Sequence, residues 1–298
     1  MSTIIDSRCG LRCIGCSWKE SHGCGGCIET NGHPFHGECS IAQCCQNKAL
    51  THCGECDIMP CEQLYAYSYL DPEHGDKPQG VRVEVCRRWA TENGKQQWKN
   101  VLLTDSGWYS SFDNFNEKTL KKNILDCFRD MLGKPTAQAK VLFIPTAANS
   151  DNSRPAAGAC FADLLSAGIL PNNIRVYDID GSLSLEQAME HDVIYFTGGD
   201  TKHLLRRMKE TKFDEIVKKM VYANKVYVGA SAGSLIATPN IGSPYDKETA
   251  GLCLIHAYLS FHCSAGTKSK TDLPLPHIPL TGNQALAVSW EGYELIEG

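Results

Sequence analysis

The sequence lacks three things, and each absence excludes a class of protein. No apolar run approaches the roughly 18 residues that a membrane-crossing helix needs, so no membrane partner is expected. Basic charge is not in excess: 29 Lys and Arg face 34 Asp and Glu, for a net charge of −5. Nucleic-acid binding calls for a clustered basic face, so no nucleic-acid partner is expected either. The start, Met1 to Arg8, has no basic stretch leading into an apolar one. No secretory signal is visible there, and a reducing cytoplasm is the expected location. Core-forming residues are not scarce. A hydrophobic fraction of 42% in 298 residues excludes global disorder, and the length suggests about two domains.

Cysteine is abundant, and it is unevenly placed. Of 16 cysteines, 12 precede residue 98: Cys9, Cys13, Cys16, Cys24, Cys27, Cys39, Cys44, Cys45, Cys53, Cys56, Cys61 and Cys86. Only Cys127, Cys160, Cys253 and Cys263 follow. Two regimes of composition predict a small cysteine-organised domain over 1–98 and an ordinary globular enzyme domain over 99–298.

Three C-x-x-C pairs stand out in the first segment: Cys13/Cys16, Cys24/Cys27 and Cys53/Cys56. Such a pair lets two thiolates hold one metal from a single tight turn. Gly15, Gly25, Gly26 and Gly54 supply the small residues those turns ask for. The eleven cysteines from Cys9 to Cys61 suffice for two four-ligand sites with some left over, and His22, His33, His36 and His52 are substitute ligands. About two structural zinc ions are the favoured reading, because a short segment poor in aliphatic residues needs a staple. An iron–sulfur cluster is the second reading and disulfides the third. The C-x3-C-x2-C spacing of Cys9, Cys13 and Cys16 also occurs in radical enzymes that use S-adenosylmethionine, but more cysteines follow here at once. The run CGLRCIGC, CGGC, CSIAQCC and CGECDIMPCEQL, closed by RVEVCRRWATENGKQQW, resembles a cysteine-rich domain of unknown function from bacteria and archaea, described as zinc-binding. The resemblance spans about residues 3–98 and implies a metal.

From Asn100 onward apolar runs alternate with helical patterns. Strands are predicted at Val101–Thr104 (followed by Asp105-Ser106-Gly107), Lys140–Pro145, Asn173–Ile179, Asp192–Thr197 and Lys225–Gly229. Helices are predicted at Asn116–Met131, Ala156–Ala167, Ser184–Glu190, Lys202–Glu210 and Phe213–Ala223. This alternation predicts an α/β fold, with a mostly parallel, doubly wound sheet covered on both faces. Sites in such sheets form at the carboxyl ends of the strands. Two glycine motifs lie at such ends, Gly198-Gly199-Asp200 and Gly229-Ala230-Ser231-Ala232-Gly233.

The second motif fits G-x-S-x-G, with a strand before it and a helical stretch after, the setting of a nucleophile elbow. The bland alternative is a glycine-rich turn that only packs tightly. Ser231 is the candidate nucleophile. His262, after the apolar stretch Tyr258–Phe261, is the candidate base, and His256 is its rival. TGGDT, GASAGS, GLCLIHAYLSFHC, IPLTGNQALAV and YELIEG, in this order, resemble the peptidase E and cyanophycinase family over about residues 99–298. These serine peptidases have a fold similar to class I glutamine amidotransferases. The resemblance implies that Ser231 attacks, that His262 is the general base, and that Gly199 and Ala232 donate backbone N–H groups to the oxyanion. Its substrates are small peptides, notably with an amino-terminal aspartate, or an aspartate-rich polymer.

Two departures from the family matter. Aligning IPLTGNQALAV places Gly282 where the family has an acid. A triad without its carboxylate loses about 10⁴ in rate. Asp246, fifteen residues after Ser231, matches a recurring family acid and is the expected substitute; Glu248 and Asp272 are near in sequence. The loop CSAGTKSKTDLPLPH also carries Lys268 and Lys270 but no arginine, so it offers charge without a bidentate fork for an aspartate side chain. Two functions therefore compete: a serine hydrolase cleaving a small peptide or amide, and a metal-stabilised binding or regulatory protein with a weakened enzyme domain. The intact elbow favours the first and Gly282 the second.

Overall fold

A computed structural model describes residues 4–92, 100–108 and 120–298. The chain divides into two compact units, Met1–Gln97 and Trp98–Gly298.

Among its described residues the first unit is helical and has no strand. It comprises α1 (Ser17–Ser21), α2 (Gly26–Glu29), α3 (Ser40–Asn47), α4 (Glu62–Tyr65) and α5 (Val81–Glu92). α3 buries Ile41, Ala42 and Cys45, and α5 buries Val83, Cys86 and Ala90, each along one helical stripe. Leu64, Tyr65, Tyr69 and Trp89 complete a small core. The ring of His52 meets Trp89 edge-on at 5.4 Å. The expected closing helix is present as α5; its proposed continuation beyond Glu92 lies outside the described residues.

The second unit is built on a seven-stranded sheet in the order β3-β2-β4-β5-β1-β8-β9. Its strands are β1 (Val101–Thr104), β2 (Val141–Ile144), β3 (Ile174–Val176), β4 (Val193–Phe196), β5 (Val226–Ala230), β8 (Gln284–Ser289) and β9 (Gly292–Glu297). The five from β3 to β1 run parallel. β8 and β9 add an antiparallel edge. β6 (Tyr258–Ser260) and β7 (His277–Pro279) form a separate parallel pair. Strands β1, β2, β4 and β5 are buried along their whole length, as continuous apolar runs in a parallel sheet must be.

Helices cover both faces. α6 (Lys122–Leu132) and α7 (Arg154–Ser166) pack on the face carrying Leu102, Phe143, Tyr195 and Val228. Alternate strand residues point the other way. There Phe196 meets both Tyr227 and Phe213 of α10 (Phe213–Tyr222). α8 (Leu185–Met189) opens with a capping box between Ser184 and Gln187. α9 (Thr201–Thr211) is capped by Asp200, and α11 (Ala232–Leu235) follows β5 directly.

The helix expected from Asn116 starts later. Residues 116–119 lie outside the described set, and Leu120 and Lys121 are not helical. Lys121 is drawn instead into the turn after β1. Its N–H donates to Trp108 O at 2.9 Å, and its ammonium donates to Ser106 Oγ and Gly107 O.

Candidate active site

The site forms where β5 and β1 end side by side. Their register pairs Ala230 with Thr104, so Ser231 and Asp105 are the next residues along neighbouring strands. The elbow is tight by construction. A Cβ at Gly229 would stand 2.6 Å from the Gly233 carbonyl group and from Ser234 N, and one at Gly233 would stand 2.6 Å from Phe196. Only glycine at both positions lets α11 turn straight back over β5. Ser234 ties the turn down, because its Oγ lies 2.8 Å from both the Thr104 and Gly229 carbonyls and accepts the Thr104 N–H. Ser231 pays the conformational cost, with φ 47 and ψ −102. A left-handed φ at a non-glycine residue is held only where the surroundings over-determine it, and such strain clusters at functional sites.

His262 arrives from the loop after β6, itself at φ 57. Its Nε2 lies 3.1 Å from Ser231 Oγ. Its Nδ1 lies 3.1 Å from Asp105 Oδ1, and the same oxygen accepts the His262 backbone N–H at 2.5 Å. A carboxylate on Nδ1 selects the tautomer with the proton there, which leaves the Nε2 lone pair facing the serine. The Asp105 side chain is 1% exposed and that of His262 is 64% exposed. Beside Asp105, burial lowers the pKa of the Lys121 ammonium, while the charges of Asp105 and Asp163 oppose that shift.

The expected acid is therefore not the one at the imidazole. Asp246 turns to its own chain, where it caps the short turn Lys247–Thr249 and accepts the Glu248 N–H at 3.0 Å. The carboxylate on Nδ1 comes from Asp105, a residue that the sequence marks only as the one following the first strand. Its position at a carboxyl strand end was the available signal. Gly282, the position left without an acid, lies beside it: a Cβ there would be 3.7 Å from Asp105 Oδ2.

The oxyanion candidates flank the serine. Ala232 is the first residue of α11, where the helix offers its N–H no internal partner. Gly199, at φ 137, sits so close to Ala147 O that a Cβ would lie 2.0 Å away. The neighbouring Gly198 has Ser231 Oγ 3.9 Å from where its Cβ would be. Lys268 and Lys270 are exposed in the loop after His262. A second serine–histidine pair, Ser260 Oγ with His277 Nε2 at 2.8 Å, is of another kind. His277 Nδ1 accepts the Lys270 N–H at 3.1 Å, so its proton sits on Nε2 and points at the serine. A ring in that state takes no proton from Ser260, and it pins the lysine loop instead.

In the first unit Cys44, Cys45, Cys53, Cys56 and Cys61 line one cavity of about 10 Å³ together with Lys48 and Leu64. Cys45 Sγ and Cys53 Sγ are 3.6 Å apart. Two thiolates on a tetrahedral zinc stand about 3.8 Å apart, given Zn–S bonds of about 2.3 Å. A second group gathers earlier in the chain. Burial pushes the Cys9 and Cys13 thiols up to about 11, and the neighbouring Cys27 adds to the rise in both. Cys24 Sγ accepts the Gly26 N–H at 3.4 Å, the N–H···S contact that such turns provide. Among the described residues no three thiols, imidazoles or carboxylates already converge as a metal site, and no disulfide joins the cysteines. Thiol sulfur is a soft donor of the kind that suits zinc or an iron–sulfur cluster.

A doubly wound sheet with a serine on a strained strand-to-helix turn, an imidazole on its oxygen and a buried carboxylate behind defines the serine-hydrolase class. Comparison with known proteins makes this specific. Residues 109–271 match the model of peptidase family S51, and the chain belongs to that family of serine peptidases. Residues 17–66 match a second family, described only as a protein of unknown function (DUF3795). An uncharacterized peptidase of Listeria monocytogenes, Lmo0363, is 34% identical over 144 residues, 48% of this chain and 62% of that protein. The match thus spans under two thirds of that relative's length. An uncharacterized peptidase of Pasteurella multocida, PM1590, is 24% identical over 189 residues, 57% of this chain and 90% of that one. The 1.5 Å crystal structure of a candidate peptidase E from Listeria monocytogenes superposes with a TM-score of 0.50 at 23% identity. It covers 67% of this chain and 98% of its own, and shares the fold. No helix among the described residues is long and apolar enough to cross a membrane.

Proposed function

We propose that the second unit hydrolyses small peptides or amides through an acyl-enzyme on Ser231. The observation that carries this is the 3.1 Å approach of Ser231 Oγ to His262 Nε2 at the elbow. Ser231 Oγ attacks the scissile carbonyl while His262 Nε2 takes its proton. The tetrahedral oxyanion is met by the backbone N–H groups of Gly199 and Ala232, donors fixed in place before reaction. His262 then returns the proton to the leaving amine, and water repeats the sequence to free the enzyme. Relatives named as peptidases support a peptide substrate. Lys268 and Lys270 supply positive charge in the loop after His262 but not a planar fork, which favours loose over strict selection of acidic side chains.

The first unit binds about two structural zinc ions through ligands drawn from the eleven cysteines between Cys9 and Cys61, in a reducing cytoplasm where those thiols stay unoxidised. Cys44, Cys45, Cys53, Cys56 and Cys61 supply one site and the cysteines from Cys9 to Cys39 the other.

A fluorophosphonate probe tests the enzyme. It should label the wild-type protein and not Ser231→Ala; equal labelling of the two would remove Ser231 as nucleophile. Elemental analysis tests the metal. About two zinc per chain are expected, and strong visible absorption without zinc would replace zinc by an iron–sulfur cluster.

A further inference from the structure

We infer that Asp105 is the positioning residue for His262, and that it fills from the end of β1 the place that a side chain at position 282 would fill from the start of β8. This rests on reading Ser231 as nucleophile and His262 as base.

The contacts give the first reason. One carboxylate oxygen receives both the His262 backbone N–H and, at 3.1 Å, the ring Nδ1. Main chain and ring are thus referenced to a single atom on the sheet. Environment gives the second. Water scarcely reaches the carboxylate, at 1% exposure, whereas the imidazole is open. A shielded charge acts on the ring with little competition from solvent.

Topology gives the third. β8 runs antiparallel to β1, with Ala285 opposite Thr104. The exit of β1 and the entry of β8 are therefore one place reached from two distant parts of the chain. Among the described residues, a Cβ at Gly282 would meet Asp105 Oδ2 at 3.7 Å and no other non-neighbouring atom within 4 Å. The absence of an acid at 282 and the presence of one at 105 are then a single fact. Asp105 does not touch substrate. It keeps the proton on Nδ1, so that Nε2 can accept from Ser231, and it stabilises the imidazolium formed when Ser231 attacks.

The test uses the full chain and three variants. Asp105→Asn keeps the shape and an oxygen for the backbone N–H but removes the charge. Its fluorophosphonate labelling rate should fall by on the order of 10³–10⁴, with an unchanged melting temperature. Asp105→Gly should be equally slow. Adding Gly282→Glu to it, whose longer arm crosses the emptied space, should restore the rate at least tenfold. A purely structural Asp105 would not be replaced from another strand. Labelling of Asp105→Asn within about threefold of wild type overturns the inference, as does a double variant no faster than Asp105→Gly. Ring ¹⁵N shifts of His262 give a readout that needs no activity. They should report the Nδ1-protonated tautomer in wild type and in Ser231→Ala, and its loss in Asp105→Asn; an unchanged tautomer overturns the proposal. If wild type and Ser231→Ala label alike, it is the nucleophile assignment that fails, and the shifts still decide Asp105.

Discussion

Replacing Gly229 by alanine asks whether the elbow is as tight as its geometry requires. The added Cβ would stand 2.6 Å from Gly233 C, Gly233 O and Ser234 N, all backbone atoms that cannot rotate aside. Ordinary contact begins near 3.4 Å. α11 must then lift from β5 by about 0.8 Å, or Ser231 must leave its strained conformation. Overpacking of this kind costs about 1–3 kcal/mol. At about 2–4 °C per kcal/mol for a unit of this size, the melting temperature should fall by roughly 2–12 °C. The effect on chemistry should be larger in proportion, because a misplacement near 1 Å costs about 10² in rate. The assay is the fluorophosphonate labelling rate with the melting temperature measured beside it, which separates misplacement from unfolding. Gly282→Ala is the control: among the described residues its Cβ would meet one atom, at an ordinary 3.7 Å, and both quantities should stay near wild type. A Gly229→Ala protein that labels within threefold of wild type would refute the view that close backbone approach holds the serine in position.

Two further expectations concern stability. Ser184→Ala removes the side-chain acceptor of the capping box at α8 and should cost about 1 kcal/mol; a melting temperature unchanged within error would show that the box contributes nothing. Burial lowers the pKa of His277, helped by Lys270 and opposed by Asp272, and burial likewise lowers that of His191. Both stay neutral in the fold at a pH where the unfolded chain, with histidine near 6.5, already takes up protons. Stability contributed by these two is therefore present above about pH 6.5 and lost as pH falls below it. Melting temperatures measured from pH 7.5 to 5 should decline through that window, and less steeply in the double variant His191→Gln, His277→Gln; a double variant that declines as steeply as wild type would count against this origin.

The sheet was readable because parallel strands are buried on both faces. Stretches such as KVLFIP and DVIYFT have no polar side to hide, so β2 and β4 read as unbroken apolar runs. The elbow was readable because its constraint is local, with glycines two residues either side of one serine. The acid was not, because its constraint is spatial. Asp105 and His262 are 157 residues apart and meet only through the order of strands. Asp246 attracted attention by its spacing from Ser231, and its own turn absorbs its carboxylate. The start of α6 was misplaced for a similar reason. Leu120 fits the helical stripe, but it is 40% exposed, and Lys121 answers to polar groups in the turn after β1.

If Asp105 positions His262 as proposed, the same strand order explains how the acid can come from β1 instead of from the segment before β8. Ser231 and Asp105 each stand one residue beyond a paired position on adjacent strands, so both ends of the proton relay are fixed to one sheet, at the strand spacing of about 4.8 Å. Only the imidazole between them arrives on a loop, and the 3.1 Å contacts on its two ring nitrogens set its place. What the relay requires is a carboxylate atom at a point beside β5, not a carboxylate at a particular position in the chain. Two chain segments reach that point, because β1 leaves it as β8 enters it. On the proposed reading an acid on either would suffice, and acids on both would crowd two negative charges into a water-poor place, where one would be forced to keep its proton. The glycine at 282 is thus the expected companion of the aspartate at 105, and the pair should be read together wherever the activity of such a chain is judged from its sequence.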